Sequence, residues 1–206
     1  SALRTRLETL CDQARLPRPL VEKLRALARG DFLDGAQNVL CFGLPGTVKS
    51  HAASAIGHAL VEAGHSVLFV PTYQLVQELL VAKRDLELPR ALRKLDLFEV
   101  VILDDLGYVA QATDEAEVLF TLMAERYERR SMLITSNLVF SQWDRIFKNP
   151  MATAAAIDRL VHHAVILEFD VPSYRTEEAK KRAAHKPGDH KTDDNHPPTA
   201  RPKKPA

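Results

Sequence analysis

Five short apolar runs punctuate the middle of the chain, at 39–42, 67–70, 100–103, 132–135 and 165–169. Each is continuous and rich in β-branched residues, as expected of strands buried on both faces. Between them apolar positions recur at helical spacing over 49–63, 73–83, 89–95, 114–129 and 153–162, which predicts helices. Gly64 stands where the first of these helices should stop. Short strands alternating with helices predict an α/β fold built on a parallel sheet.

The front of the chain has its own helical pattern. Leu3, Leu7 and Leu10 share one face, and Leu20, Leu24, Leu27 and Ala28 repeat it after Pro17 and Pro19, with Gly30 as a stop. Residues 1–30 therefore read as a helical arm. The chain begins at Ser1, not Met, consistent with a processed chain or a fragment of a longer one. From 176 to 206 large apolar residues are almost missing, and five of the twelve prolines fall there. A segment of that kind buries too little surface to offset its ordering entropy, so disorder is expected.

Charge changes this picture little. The net charge is +1, but 176–206 holds eight basic and five acidic residues, leaving the rest slightly acidic. Nucleic-acid binding by the body would therefore need a local basic patch. Cys11 and Cys41 lack metal-ligand spacing, which suits a reducing cytoplasm. No apolar run approaches the length of a membrane span, and no secretory leader is visible.

The candidate chemistry starts after the first strand. Residues 43–50 read Gly43, Leu44, Pro45, Gly46, Thr47, Val48, Lys49, Ser50. This is close to GxxxxGK[ST], the phosphate loop of ATP-binding proteins, and it lies between a strand and a helix as that motif requires. Backbone N–H groups and the helix N-terminus attract phosphate, Lys49 reaches it, and the Ser50 hydroxyl can ligate Mg²⁺. Val48 departs from the pattern. A glycine is expected before the lysine, and a β-branched residue is a poor choice where φ or space is restricted. ATP binding is thus expected more firmly than ATP hydrolysis.

The third strand ends in Asp104 and Asp105. Beside a triphosphate, Asp104 would orient Mg²⁺ and Asp105 would position the attacking water; a solvated strand end would read the same in isolation. The fourth strand runs into Ser136 and Asn137, and Asn137 is the candidate to hydrogen-bond that water or the γ-phosphate. Its alternative is a turn residue. Trp143 and Phe147, four apart, read as core.

These residues carry a resemblance. The stretches 30–51, 103–109, 124–147, 158–169 and 171–175 resemble the IstB family, the ATP-binding helpers of insertion-sequence transposition, which belong to the AAA+ class and are close to the DnaC helicase loaders. The resemblance covers roughly 15–175, with the family's amino-terminal part cut short. It implies an AAA+ P-loop domain over 31–175, with a five-stranded parallel sheet of order 5-1-4-3-2. It implies nucleotide contacts from Gly43 through His51, Asn137 as the sensor residue, Arg159 as an arginine finger toward a neighbouring subunit, and Arg175 as a second sensor. An ion pair on the helix surface is the alternative for Arg159. The cofactors implied are ATP and Mg²⁺. The partners implied are duplex DNA, a transposase and further copies of the chain, with no membrane.

Between the second and third strands, Lys83, Arg84, Arg90, Arg93 and Lys94 could contact DNA phosphates. Asp85, Glu87 and Asp96 could equally balance them as a solvated face. Two other readings stay open: a DnaC-like helicase loader, and an ATP-binding scaffold impaired in hydrolysis by Val48.

Overall fold

The computed structural model describes residues 2–108 and 112–169, with only the backbone at 2–5 and 108. The expected tail, 176–206, and Arg175 lie outside the described residues. Five strands form one parallel sheet: β1 (Val39–Gly43), β2 (Val67–Pro71), β3 (Val100–Asp104), β4 (Ser131–Ser136) and β5 (Val165–Phe169). Their order is β2-β3-β4-β1-β5, the expected 5-1-4-3-2 read from the other edge.

Alternate residues of each strand face opposite layers, so a continuous apolar run feeds two cores. Leu40, Phe42, Val101, Leu103, Met132 and Ile134 point to one layer. It is covered by α4 (Thr72–Arg84), α5 (Leu88–Leu95), α6 (Thr113–Arg126), α7 (Asp144–Phe147) and α8 (Pro150–Val161). Val39, Cys41, Val100, Ile102, Leu133 and Leu167 point to the other. It is covered by α1 (Ala2–Gln13), α2 (Arg18–Ala28) and α3 (Lys49–Glu62). The expected amino-terminal helices thus share one core with the helix that follows the phosphate loop.

Local chemistry sets the helix ends. Gly30 and Gly64 adopt φ of 86° and 95° just after α2 and α3, conformations open to glycine at little cost. Helix α8 begins three residues before the sequence pattern does. The Asn149 side chain accepts from the N–H groups of Met151 and Ala152, and Pro150 fills the first helical position. Helix α6 stops at Arg126, earlier than expected, because Tyr127 turns out at ψ 126° and Glu128 takes φ 56°. Gly57 of α3 meets the sheet so closely that a Cβ there would lie 2.8 Å from Ile102 Cδ1. Trp143 is fully buried and donates from Nε1 to the Leu138 carbonyl, and Phe147 is buried beside it.

Two buried polar side chains tie the sheet's far end together. Asn38 accepts from Met132 N–H and donates to the Leu160 carbonyl. Arg126, 1% exposed, donates to the carbonyls of Leu95, Phe98 and Ser131. Its guanidinium fills the gap between α5 and the starts of β3 and β4, and burial pulls its pKa down to about 10.

Candidate functional site

Strand β4 lies between β1 and β3, and this register assembles the site. Cys41 and Phe42 pair with Thr135 and Ser136. Leu103 pairs with Ile134. The phosphate loop after β1, the Asp104–Asp105 pair at the end of β3 and Asn137 after β4 therefore emerge side by side, at the carboxyl ends of three neighbouring strands.

The loop runs from Gly43 into α3. Gly43 is required by close approach: a Cβ there would lie 2.8 Å from the Phe169 carbonyl oxygen and 3.0 Å from Thr47 Oγ1. Gly46 takes φ 80°, open to glycine but strained for other residues. Val48 behaves otherwise. Its φ is −77° and ψ 12°, a backbone that any L-residue adopts. Its side chain is 4% exposed and belongs to the core formed by α1, α2, α3 and the sheet. The expectation that restricted φ demands glycine at 48 does not hold, because the isopropyl group points into the core.

Lys49 is the loop's cation. It is 3% exposed, and Nζ donates to the carbonyls of Gly43 (2.8 Å) and Leu44 (2.9 Å) and to Thr47 Oγ1 (3.1 Å). Burial lowers its pKa, while the nearby Asp105 and Asp104 carboxylates act to raise it. The same burial pushes the neighbouring Cys41 thiol up to about 12, so it is an inert core group.

Asp104 and Asp105 differ sharply. Asp104 is half-buried and fixed at two points. Thr135 Oγ1 donates to its Oδ1 at 2.6 Å, and Thr72 Oγ1 donates to its carbonyl at 2.8 Å. Asp105 is exposed, takes φ 58°, and donates its backbone N–H to Thr135 Oγ1 at 2.9 Å. Neither threonine is marked out by the local sequence; the signal is a hydroxyl aligned with Asp104 once the strand order is known.

The Asn137 side chain sits against Gly107 in the turn after Asp105, and its Oδ1 is buried with no hydrogen-bond partner among the described residues. Ser50 is half-buried in the first turn of α3. His51, next to it, is exposed and turns toward α1, lining a cleft of about 370 Å³ with Arg6, Gln13 and His58.

These groups suit ATP with Mg²⁺. Their donors are hard oxygens plus one buried ammonium. Among the described residues no three His, Cys, Asp or Glu side chains cluster to hold a metal ion by themselves. Mg²⁺ is commonly held by one or two protein oxygens together with substrate phosphates, which Ser50 and Asp104 could supply.

The remaining candidates are not gathered at the loop. Arg159 stacks its guanidinium over Phe120, 5.0 Å from the ring centroid, and donates to the Ala155 carbonyl. It pairs with no carboxylate among the described residues, so the expected ion-pair alternative is not seen. Lys83 bonds Glu117 and Asp114 across α6, Arg84 pairs with Asp85, and Arg90 pairs with Glu87. Arg93 and Lys94 are exposed on α5 without an ion-pair partner among the described residues.

Comparison with known proteins gives the family and the fold. The family model described as "IstB-like ATP binding protein" matches residues 12–183. An insertion-sequence ATP-binding protein of Sinorhizobium fredii is 51% identical over 171 residues, covering 82% of this chain and 57% of that protein. The insertion sequence IS21 ATP-binding protein of Pseudomonas aeruginosa is 38% identical over 169 residues, covering 82% and 63%. The chain thus spans about three fifths of the length of these relatives. Among solved structures, DnaI matches with a TM-score of 0.62 at 22% identity, covering 74% of this chain and 86% of that one. The DnaC helicase loader matches with a TM-score of 0.58 at 20% identity, covering 73% and 88%. The shared architecture is the AAA+ fold. No helix among the described residues is long and apolar enough to cross a membrane.

Proposed function

Since the chain belongs to the family of IstB-like ATP-binding proteins, we propose that it acts as an ATP-driven, DNA-binding helper of insertion-sequence transposition. The observation that carries this reading is the convergence of Lys49, Asp104, Asp105 and Asn137 on neighbouring strand ends.

In this reading the phosphates lie along residues 43–50, held by backbone N–H groups and the N-terminus of α3. The Lys49 ammonium exchanges its loop carbonyls for phosphate oxygens. Ser50 and Asp104 would hold Mg²⁺, which when bound neutralises phosphate charge. Asp105 orients the attacking water and accepts its proton, and Asn137 hydrogen-bonds that water or the γ-phosphate. Val48 leaves the cradle clear, so ATP hydrolysis is expected along with binding.

Arg159 would act on the nucleotide of a neighbouring copy. Among the described residues it has no carboxylate partner, which supports a cation available to phosphate, and such a group is worth about 10³–10⁵ in rate in related chemistry. Copies would assemble on duplex DNA when ATP is bound, through Arg93, Lys94 and neighbouring cations, and would then engage a transposase. The setting would be the cytoplasm. Family membership favours this over helicase loading, since the likeness to DnaC is one of fold.

The test is sedimentation of the chain with duplex DNA, with and without ATP and Mg²⁺. Nucleotide-dependent assembly on DNA is expected, and Lys49→Ala should abolish it. Assembly that ignores nucleotide would overturn the proposal.

A further inference from the structure

Thr135 is fully buried, yet its hydroxyl does two things at once. It donates to Asp104 Oδ1 at 2.6 Å and accepts from the Asp105 N–H at 2.9 Å. One oxygen thus fixes the carboxylate rotamer of one acid and the backbone of the next. That backbone is unusual, since Asp105 takes φ 58°, a left-handed conformation that a non-glycine residue keeps where its surroundings hold it.

The bond also decides which oxygen of Asp104 is free. With Oδ1 engaged by Thr135 and the main-chain carbonyl engaged by Thr72, neither the side chain nor its backbone can turn without breaking a partly buried hydrogen bond. The Asp104 residue remains partly exposed, so its second carboxylate oxygen is the one left to act outward. A buried donor of this kind sets the direction of a metal-binding carboxylate.

We propose that Thr135 is a positioning residue for the divalent cation, acting through Asp104 and steadying the Asp104–Asp105 turn. The proposal rests on the reading of Asp104 as the carboxylate that faces the metal.

The test uses the full 206-residue chain and Mn²⁺ as the probe. Free Mn²⁺ is followed by electron paramagnetic resonance with a non-hydrolysable ATP analogue bound, and analogue affinity is measured separately in EDTA. Thr135→Val keeps the shape and removes the hydroxyl. It should weaken Mn²⁺ binding roughly tenfold to a hundredfold, the usual effect of losing an outer partner of a metal ligand. Analogue affinity in EDTA should stay within about threefold, and Thr135→Ser should restore Mn²⁺ binding. Asp104→Asn serves as the control. If Asp104→Asn weakens Mn²⁺ binding and Thr135→Val does not, the positioning role is overturned while the metal site stands. If Asp104→Asn has no effect, the metal reading itself fails and the proposal with it. Should Thr135→Val not fold, Thr135→Ser and Thr135→Ala differ only in the hydroxyl, and equal Mn²⁺ affinities in that pair overturn the proposal.

Discussion

The side-chain oxygen of Asn137 occupies the space that a β-carbon on residue 107 would need. Gly107 lies in the turn after Asp105, so Asn137 packs directly on the turn that carries the other group proposed to handle the attacking water. Gly107→Ala must displace Asn137. Turnover should fall by roughly tenfold to a hundredfold, the scale of a 1 Å misplacement near the chemistry, with nucleotide affinity within about threefold. Steady-state turnover and equilibrium binding of one variant check this; unchanged turnover would argue that Asn137 has no part in the reaction.

Val48→Gly tests the loop from the other side. Val48 is buried in the core beneath α1 and α2 and has an ordinary backbone. Losing that side chain should cost about 1.5–3 kcal/mol of stability, and the added chain entropy of glycine should add to it. Nucleotide affinity should not improve. Urea unfolding with nucleotide titration separates the two effects, and a clear gain in affinity would restore the view that valine obstructs the cradle.

On the α5 surface, Arg93 and Lys94 have no ion-pair partner among the described residues, whereas Lys83, Arg84 and Arg90 each pair with a carboxylate. Arg93→Glu with Lys94→Glu should weaken duplex DNA binding and lower the salt slope by about 2, if each side chain neutralises one phosphate. The Lys83→Ala change should do less to DNA binding. Fluorescence anisotropy across a salt series measures both; equal effects would mean that the ion pairs open on binding.

Acid should loosen the edge of the sheet. The Glu99 carboxylate accepts from the Ser66 N–H at 2.9 Å and meets His65 Nδ1 at 3.1 Å. The Ser66 N–H first, and His65 second, hold its pKa below the ordinary 4.5. A group depressed on folding contributes stability above its unfolded pKa and loses it as pH falls through the folded one. Glu99→Gln should therefore be less stable than the parent at neutral pH, with the gap closing below about pH 4.5. Denaturant melts at stepped pH would reveal it; a gap independent of pH would assign the effect to packing.

Much of this architecture was legible in the chain because burial on both faces leaves a direct mark. The five strands appear as continuous apolar runs, and Trp143 and Phe147 read as core from spacing alone. What escaped depends on long-range register or on backbone angles. Helix α7 spans only Asp144–Phe147, too short for a period to appear. The Thr135 hydroxyl matters because β4 sits beside β3, which no local pattern states. Val48 was misjudged for the same reason: a motif gives the residue, but φ and the direction of the side chain come from how α3 meets α1 and α2. Arg126 lies in a run of charged residues, and only the packing of α5 against the starts of β3 and β4 shows that it is buried among carbonyls.

The Lys49 ammonium sits among the loop carbonyls with the Asp105 and Asp104 carboxylates nearby. The most direct measurement is titration of a fluorescent ATP analogue with Mg²⁺ into the parent chain and into Lys49→Ala, with unfolding curves to confirm that both are folded. A saturable affinity in the parent, at least tenfold weaker in the variant, is the expected result, since a lost charge-assisted contact to phosphate is worth about 1.5–3 kcal/mol. Equal affinities in two folded proteins would contradict the assignment of residues 43–50 as the phosphate site.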